Sequence, residues 1–506
     1  MKKYAFLAGF AFAVLAFAAV WLGGLNQDEG WYLYAANMVR DGRMPYRDFF
    51  FTQGPLMPIV YSAFAGVWDR WGLLGARVLT CVIGLAATVF AASLARMLAP
   101  EGRKGCAFAL VSLLLGSNLY HIYYTSTPKT YALASLFVSA GYFLLAAAFT
   151  DRGARLRRTL LFGAGASMAF ACGSRISLGM LLAACGFGLL FSFRRLGWSF
   201  LWFGLGGALA LALVYGPFLL DAGAFKGLVA AQRYHAARGG FDVVFTVGSM
   251  SRLVRWYLPV FVLLGLGVAA RARGRGGIAA ERPSNPALPL LFWGFGAVFA
   301  LQMLAPFPYE DYQVPIMCLL AAGASVLACS GEGGSPFSVP QKLLPVLVLG
   351  LAWACSFGSP QLEDWMTNGQ DRFWTLKKDK CELAQLRDVA RIIEAVDPGG
   401  KELLTQDVYL AVETGRRVPK GLEMGPFSML SDAEWTNLLE NVECNVAALS
   451  GYTFAVEPPE CRERPLEKQF EYYSIVKKRY DLVMKEDAFG QNATTLLILK
   501  RKSGTK

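Results

Sequence analysis

Long runs of apolar residues recur along this chain up to residue 358, and they constrain its fold more than any other feature. The first run, Tyr4 to Leu25, contains no charged residue. It is long enough for a helix of about 30 Å, which matches the hydrocarbon core of a bilayer. With the later blocks there are about eleven candidate spans; the later blocks are 71–98, 105–122, 130–149, 159–173, 176–193, 197–220, 253–270, 287–305, 312–330 and 342–358. The pattern predicts a polytopic α-helical membrane protein.

The composition changes sharply near residue 358. Over all 506 residues, 55% are hydrophobic and only 17% are charged, against about 25% charged in soluble domains. The excess of apolar residues predicts a membrane domain at 1–358, followed by a soluble domain at 359–506. The soluble part has the pattern of an α/β domain, with helical spacing at 382–395 and 432–449 and strand-like runs at 401–407, 451–457, 480–487 and 493–501.

The net charge of +12 is concentrated in short loops between apolar blocks. Basic clusters at 151–158, 193–195 and 271–277 orient helices by the positive-inside rule and do not indicate a nucleic-acid partner. They also favour treating 159–173 and 176–193 as separate spans. With the first run taken as an uncleaved span, the amino terminus is expected in the cytoplasm. The acidic loops and the soluble domain are then expected outside it.

Ten cysteines are present, and most lie within apolar blocks, where they are expected to pack as small hydrophobic side chains. Cys381, Cys444 and Cys461 lie in the soluble part. Outside the cytoplasm, one disulfide with one thiol left over is possible there, and the sequence leaves all three pairings open.

An acidic pair, Asp28-Glu29, stands directly after the first apolar run. The spacing predicts a short helix from Glu29 to Arg40, ended by Gly42. Its apolar positions predict that the helix lies in the membrane interface, with aromatic rings at headgroup depth; they are Trp31, Tyr34, Ala35 and Met38. Asp28 has two interpretations that are compatible with each other, the N-cap of this helix and a catalytic carboxylate.

The residues around this pair resemble one enzyme family. Asp28-Glu29 is followed by an amphipathic segment, a turn at 42–46 (Gly-Arg-Met-Pro-Tyr) and an aromatic-Gly-Pro approach to the next span. This layout resembles GT-C-fold glycosyltransferases of the bacterial inner membrane, in the branch of protein O-mannosyltransferases and lipid A aminoarabinose transferases. The residue match covers mainly 26–61. The resemblance implies that Asp28 is the catalytic carboxylate and that Glu29 is its neighbour in the substrate site.

The chain departs from the aminoarabinose transferases at three places. Trp31 stands where they have an arginine, and Thr52-Gln53 stands where they have an acidic-basic pair. Lys129 occupies a loop where many relatives carry an acid. These departures imply a different donor or acceptor.

A polyprenyl-phosphate sugar fits such a site because its tail stays in lipid while its phosphate lies at the outer headgroup level. Its transfer needs a base near the acceptor and cations for the departing phosphate. The outward cationic candidates are Arg40, Arg43, Arg47, Lys129, Arg175, Arg233 and Arg238. Arg175 is the strongest candidate, because a charge between two short spans is costly unless it is used. Interfacial snorkelling is the alternative for each of them.

Two further groups are candidates for binding substrate. His235 shares a helical face with Arg233 and Arg238 and is a candidate for contacting phosphate or acceptor, or else a solvated surface residue. Glu310-Asp311 lies in a tight turn, where it is suited to an acceptor, a cation or an arginine, or to plain solvation. Two histidines in all exclude a histidine-rich metal site. A divalent cation held by Asp28 with Glu310 or Asp311 remains open.

These features favour an inverting glycosyltransferase that moves a sugar from a polyprenyl-phosphate donor to an acceptor outside the cytoplasm, which is a lipid, glycan or protein. A flippase or other transporter of lipid-linked saccharides is the alternative from another class. The few charges at mid-depth and the acidic first loop argue against it. A polymerase of lipid-linked repeats and a non-catalytic envelope protein are further alternatives.

Overall fold

The computed structural model describes most of the chain in several stretches. The described residues are 2–150, 153–237, 239–274, 285–330, 346, 348–351, 380–451, 466–491 and 493–503. The described residues up to 330 are called the helical region, and those from 380 to 503 are called the C-terminal region. The last predicted span, 342–358, lies mostly outside the described residues.

The helical region contains sixteen helices among its described residues. They are α1 (Lys2–Leu22), α2 (Gln27–Arg40), α3 (Leu56–Ser62), α4 (Ala65–Leu98), α5 (Lys104–Gly116), α6 (Leu119–Ser126), α7 (Thr130–Ala148), α8 (Ala154–Ser174), α9 (Gly179–Phe191), α10 (Phe193–Leu196), α11 (Ser199–Leu220), α12 (Ala222–Ala236), α13 (Val243–Trp256), α14 (Leu258–Gly274), α15 (Ala287–Met303) and α16 (Val314–Cys329). Short 3₁₀ turns occupy Ile176–Leu178 and Glu310–Gln313.

The apolar helices make the chain a polytopic membrane protein. Within the described residues, four helices are long and apolar enough to cross a membrane, and seven spans result if each sharply bent pair counts as one. The bent pairs are α1 with α2, α5 with α6, and α13 with α14. The count of eleven spans therefore stays a prediction.

The break between α1 and α2 positions the acidic pair. The two helices meet at 84°, so α2 turns away from the direction of α1 immediately after the first apolar run. The chain then continues through α3 into α4, where Gly72 has a positive φ of 62° that favours glycine. This path packs the start of α2 against α4 and against the C-terminal region.

The C-terminal region combines helices with a small sheet. Its helices are α17 (Glu382–Val396), α18 (Val408–Thr414), α19 (Asp432–Asn441) and α20 (Leu466–Arg479). Its strands are β1 (Val446–Ser450), β2 (Tyr480–Phe489) and β3 (Thr494–Arg501), in the antiparallel order β1-β3-β2. The consecutive buried residues Leu496 to Leu499 of β3 and the apolar face of α17 lie in one core that also includes residues of α2.

Several sequence predictions for the C-terminal region can be compared with these elements. The helix at 382–395 and the strands at 480–487 and 493–501 are confirmed. The helix at 432–449 is wrong in its second half, where β1 pairs with β3. The run 401–407 forms only isolated bridges, and 452–457 lies outside the described residues.

No disulfide joins Cys381 to Cys444, which excludes one of the three pairings that the sequence left open. Cys461 lies outside the described residues.

The prediction that the apolar face of α2 meets the lipid headgroups is wrong. Trp31, Tyr34 and Met38 are all buried, at 4%, 5% and 4% exposure. Their rings and side chains pack in the core that joins α2 to the C-terminal region. Helical spacing shows only that one face is apolar, and here protein covers that face instead of lipid.

Candidate active site

The start of α2 is capped in a way that leaves the Asp28 side chain available. Asn26 is the N-cap, and its side-chain oxygen accepts from the Asp28 amide at 3.0 Å. Glu29 completes a capping box by accepting from the Asn26 amide at 3.0 Å. The N-cap role predicted for Asp28 is therefore wrong, because Asn26 already satisfies the first amides of the helix.

The Asp28 carboxylate contacts a buried cation. Its Oδ2 lies 2.9 Å from Lys129 Nζ, and its Oδ1 accepts from the Trp31 indole nitrogen at 3.0 Å. Lys129 precedes α7, and its side chain is only 6% exposed, whereas that of Asp28 is 29% exposed. A carboxylate reached by solvent thus lies against an ammonium that is not.

Arg175 lies in the same neighbourhood, between α8 and the 3₁₀ turn at 176–178. Its guanidinium is 4.6 Å from the Tyr131 ring centroid and 4.8 Å from that of Tyr312. Its Nη1 donates to Thr130 Oγ1 at 3.1 Å. Its buried Nε has no hydrogen-bond partner among the described residues, so the group retains a donor for a ligand.

Tyrosine side chains connect the two cations. Lys129 Nζ is 5.5 Å from the Tyr124 ring and 5.8 Å from the Tyr131 ring, so Lys129 and Arg175 share Tyr131. Tyr32 of α2 hydrogen-bonds Thr130 and lies within electrostatic reach of Asp28, Lys129 and Arg175.

Asp311 completes this group of side chains. Its Oδ2 accepts from the Tyr131 hydroxyl at 2.6 Å. We call Asp28, Lys129, Arg175 and Asp311 the Asp28 cluster. It brings together two carboxylates and two cations that are distant in sequence.

Glu29 is directed away from this cluster. Both of its oxygens accept from Arg77 of α4, at 2.6 and 2.7 Å. Arg77 also donates to the carbonyls of Gly23 and Gly24, each at 2.9 Å. Both side chains are buried, at 0% for Glu29 and 2% for Arg77. This ion pair fixes the bend between α1 and α2, so the contacts of Glu29 are those of a structural residue.

The loop arginines have partners of their own. Arg40 pairs with Asp69 at an exposed position, and Arg47 pairs with Asp48 at 2.9 Å and with Asp221 at 3.4 Å. The Arg47 hydrogen bond lowers the pKa of the Asp48 carboxyl to about 2. These exposed pairs connect the segment from Arg40 to Asp48 with Asp69 of α4 and with Asp221, which precedes α12.

Glu310 is separated from Asp311 by its partners. Its Oε1 accepts from Arg252 Nε at 2.9 Å, and its Oε2 accepts from Ser249 at 3.1 Å. Glu310 therefore joins the turn at 310–313 to α13, while the neighbouring Asp311 faces Tyr131.

A groove lies on α12, the helix that follows α11. Arg233 is exposed and lines a groove of about 630 Å³ together with Phe225, Lys226, Tyr234 and Met429. His235 lies in α12, but its side chain is outside the described part of the chain, as is all of Arg238. The predicted three-residue face is thus described only at Arg233.

Several contact partners of the predicted site residues were not identified from the sequence. A signal existed for Arg77, because it is a lone charge within the long apolar stretch of α4. The sequence marks Trp31 as a departure from the family and as an apolar position of α2, but carries no sign that its indole donates to Asp28. Tyr131 and Tyr312 carried no local signal, since their contact with Arg175 depends on the folding together of three separate segments.

A metal site receives no support within the described residues, where no group of three or more His, Cys, Asp or Glu side chains could hold an ion. At Asp28 the neighbouring positive charge is the Lys129 ammonium.

The cluster is chemically suited to moving a group off a phosphate. Two cations, one of them with an uncommitted donor, can hold a phosphate. A carboxylate next to them can accept a proton.

The fold is that of the GT-C glycosyltransferases, which confirms the resemblance seen in the sequence at the level of fold. Among solved structures, ArnT from Cupriavidus metallidurans bound to undecaprenyl phosphate matches with a TM-score of 0.63 and 14% identity, over 98% of both chains. The apo form of that protein matches with a TM-score of 0.61, again at 14% identity over 98% of both chains.

An oligosaccharyltransferase from Archaeoglobus fulgidus matches with a TM-score of 0.49 and 10% identity, over 98% of this chain and 74% of its own. No protein-family model matches the sequence, and no curated protein matches it.

Proposed function

We propose that this protein is a glycosyltransferase that moves a sugar, with inversion, from a polyprenyl-phosphate donor to an acceptor outside the cytoplasm. The observation that carries the proposal is the 2.9 Å contact between Asp28 and the buried Lys129, next to Arg175. The shared fold with ArnT, whose structure holds undecaprenyl phosphate, supports a lipid phosphate as the donor's carrier.

In the proposed reaction, the donor phosphate binds Lys129 and Arg175. The phosphate competes with Asp28 for the Lys129 ammonium, because both are anions in reach of one cation. Asp28 Oδ2 is then able to accept a proton, while Trp31 still holds Oδ1. The pairing of Lys129 with Asp28 is thus the resting state of the base in the free enzyme.

The bond changes follow from these positions. The acceptor hydroxyl or amine attacks the anomeric carbon from the side opposite the phosphate, and its proton passes to Asp28. The bond between that carbon and the phosphate oxygen breaks, and its electron pair leaves with the polyprenyl phosphate. Lys129 and Arg175 stabilise the charge that develops on this leaving group.

The proposed location is the bacterial inner membrane, with the amino terminus in the cytoplasm. The cluster and the C-terminal region then lie outside. Direct contact between Gln27 and Asp407 supports one membrane side for both. Arg157 donates to the Leu196 carbonyl, which supports one common side for the basic loops before α8 and after α9.

The test is a transfer assay with purified protein in liposomes, a labelled polyprenyl-phosphate sugar and candidate acceptors. The Asp28→Asn variant should transfer about 10²- to 10⁴-fold more slowly, as expected for loss of a general base. Asp48→Asn is the matched control, since Asp48 belongs to the same outward segment and pairs with Arg47; it should keep normal turnover. Equal rates for Asp28→Asn and the unmodified protein would refute the proposal, and movement of donor across the bilayer without transfer would favour a flippase.

A further inference from the structure

The C-terminal region is hydrogen-bonded to the chain segment that carries Asp28. Gln27 Nε2 donates to Asp407 Oδ1 at 2.6 Å, and the Gln27 amide donates to Gln491 Oε1 at 2.8 Å. Two residues before Gln27, the Leu25 amide donates to Glu382 Oε2 at 2.6 Å. These bonds join residues more than 350 positions apart, and all three accepting side chains belong to the C-terminal region.

Close backbone contact reinforces these bonds on the other side of Asp28. Gly30 packs against the start of α18, where an added Cβ would lie 2.8 Å from the Val408 carbonyl carbon and closer still to the Tyr409 amide. No side chain larger than hydrogen fits there without moving one element. Asp28 therefore lies between two anchored residues, Gln27 and Gly30.

The Asp407 carboxylate is itself held firmly. It is 2% exposed, and its Oδ1 also accepts from the Tyr409 hydroxyl at 2.8 Å. The Asp407 amide donates to Thr405 Oγ1 at 3.0 Å. Gln27 and Tyr409 thus share one oxygen of this carboxylate, which links α18 to the first turn of α2.

We infer that Asp407 is a positioning residue for the base. It holds the first turn of α2 so that the Asp28 carboxylate has the correct distance and orientation to the donor and the acceptor. Asp407 acts through Gln27 and does not touch the Asp28 cluster in the contacts described for it. The inference rests on the proposed function, and it assigns to the C-terminal region a role in the rate of transfer.

The role predicts a specific kinetic pattern. Lys129 precedes α7 and Arg175 follows α8, so displacement of α2 leaves both phosphate-binding cations in place. Loss of the Asp407 contact should therefore lower kcat and spare the KM for donor. A misplacement of the base by 1 Å is enough to slow a reaction by about 100-fold.

The experiment compares Asp407→Ala, Gln27→Ala and their double variant in the full-length protein. We expect each single variant to lose about 10- to 100-fold in kcat, and the double variant to lose no more than either single one. Donor KM should stay within about 2-fold, and each chain should still bind one undecaprenyl phosphate. Asp407→Asn retains the accepting oxygen and should restore most of the rate.

Asp397→Ala is the matched control. Asp397 is an aspartate of the same region that pairs with Arg416, so its loss perturbs the C-terminal region away from α2. Normal kcat for Asp407→Ala would overturn the inference. A loss explained entirely by fewer lipid-binding chains, or one equalled by Asp397→Ala, would also overturn it.

The Asp28→Asn variant separates the two proposals. If Asp28→Asn is inactive and Asp407→Ala is fully active, only the positioning role fails. If Asp28→Asn is fully active, the proposed function fails, and the positioning role that rests on it fails with it.

Discussion

At the scale of single residues, the chemistry depends on which anion Lys129 contacts. In the structure Lys129 pairs with Asp28 at 2.9 Å while it lies beside the rings of Tyr124 and Tyr131. A buried ammonium needs a counter-ion. The Asp28 carboxylate serves in the free enzyme, and a donor phosphate can replace it.

Replacing Lys129 with methionine tests this exchange. Lys129→Met should raise the KM for donor about 10- to 100-fold, the loss expected for a hydrogen bond to a charged group. Steady-state kinetics with a labelled donor measure the change. Lys104→Met is the control, because Lys104 pairs with Glu101 at an exposed position, and its kinetics should be normal. An unchanged KM for Lys129→Met would place the phosphate elsewhere.

Asp407 also predicts a pH effect on stability. Burial raises the pKa of this carboxyl above its ordinary value, so the folded protein binds the proton more tightly than the unfolded chain does. The stability that Asp407 contributes is therefore present at low pH and decreases as pH rises from the ordinary aspartate pKa through the raised one. Asp407→Asn removes this dependence.

Thermal unfolding in detergent, followed from acidic to neutral pH, measures it. The stability of Asp407→Asn relative to the unmodified protein should increase with pH. A constant difference across that range would show that Asp407 ionises normally.

At the scale of elements, the buried Arg77–Glu29 pair determines how α1 joins α2. Arg77→Met leaves the Glu29 carboxylate buried without its partner, which should cost about 3–5 kcal/mol. The double variant with Glu29→Met should recover much of this loss, because no uncompensated charge remains. Thermal unfolding of both variants provides the measurement, and an Arg77→Met protein as stable as the double variant would contradict it.

Helices α8 and α11 pack closely against each other at glycine residues. An added Cβ on Gly206 would overlap the Phe162 carbonyl oxygen, whereas Gly204 on the same helix has open space. Gly206→Ala should therefore force the two helices apart and destabilise the protein by about 1–3 kcal/mol.

Gly204→Ala is the matched control and should be neutral or slightly stabilising, because alanine favours helix. The free energies of unfolding of the two variants are compared in the same detergent. Equal stabilities would show that the close approach of the two helices is not required.

At the scale of the whole molecule, sequence patterns predicted the helical region better than its assembly. Apolar blocks mark helices because burial in lipid requires them. The acidic pair Asp28-Glu29 is recognisable in the sequence because it directly follows the first apolar block. Neither pattern carries information on which loops meet, so the contact of Asp28 with Lys129 and the stacking of Arg175 on Tyr131 and Tyr312 appear only in the folded chain.

The C-terminal region shows the same limit. The sequence pattern predicted α17, β2 and β3, but not the contact of this region with α2, which buries Trp31 and Tyr34 under protein. A helix with one apolar face looks the same in sequence whether lipid or protein covers that face. Gly30 and Gln27 carry no local sign in the sequence that they contact residues 407–409, at the start of α18.

The central claim is that the Asp28 cluster holds the phosphate of a membrane-tethered donor. A cryo-EM structure of the protein in nanodiscs with undecaprenyl phosphate tests it most directly. We predict phosphate density about 3 Å from both Lys129 Nζ and the Arg175 guanidinium, with Lys129 displaced from Asp28. Phosphate bound elsewhere, with the contact between Lys129 and Asp28 intact, would contradict the account.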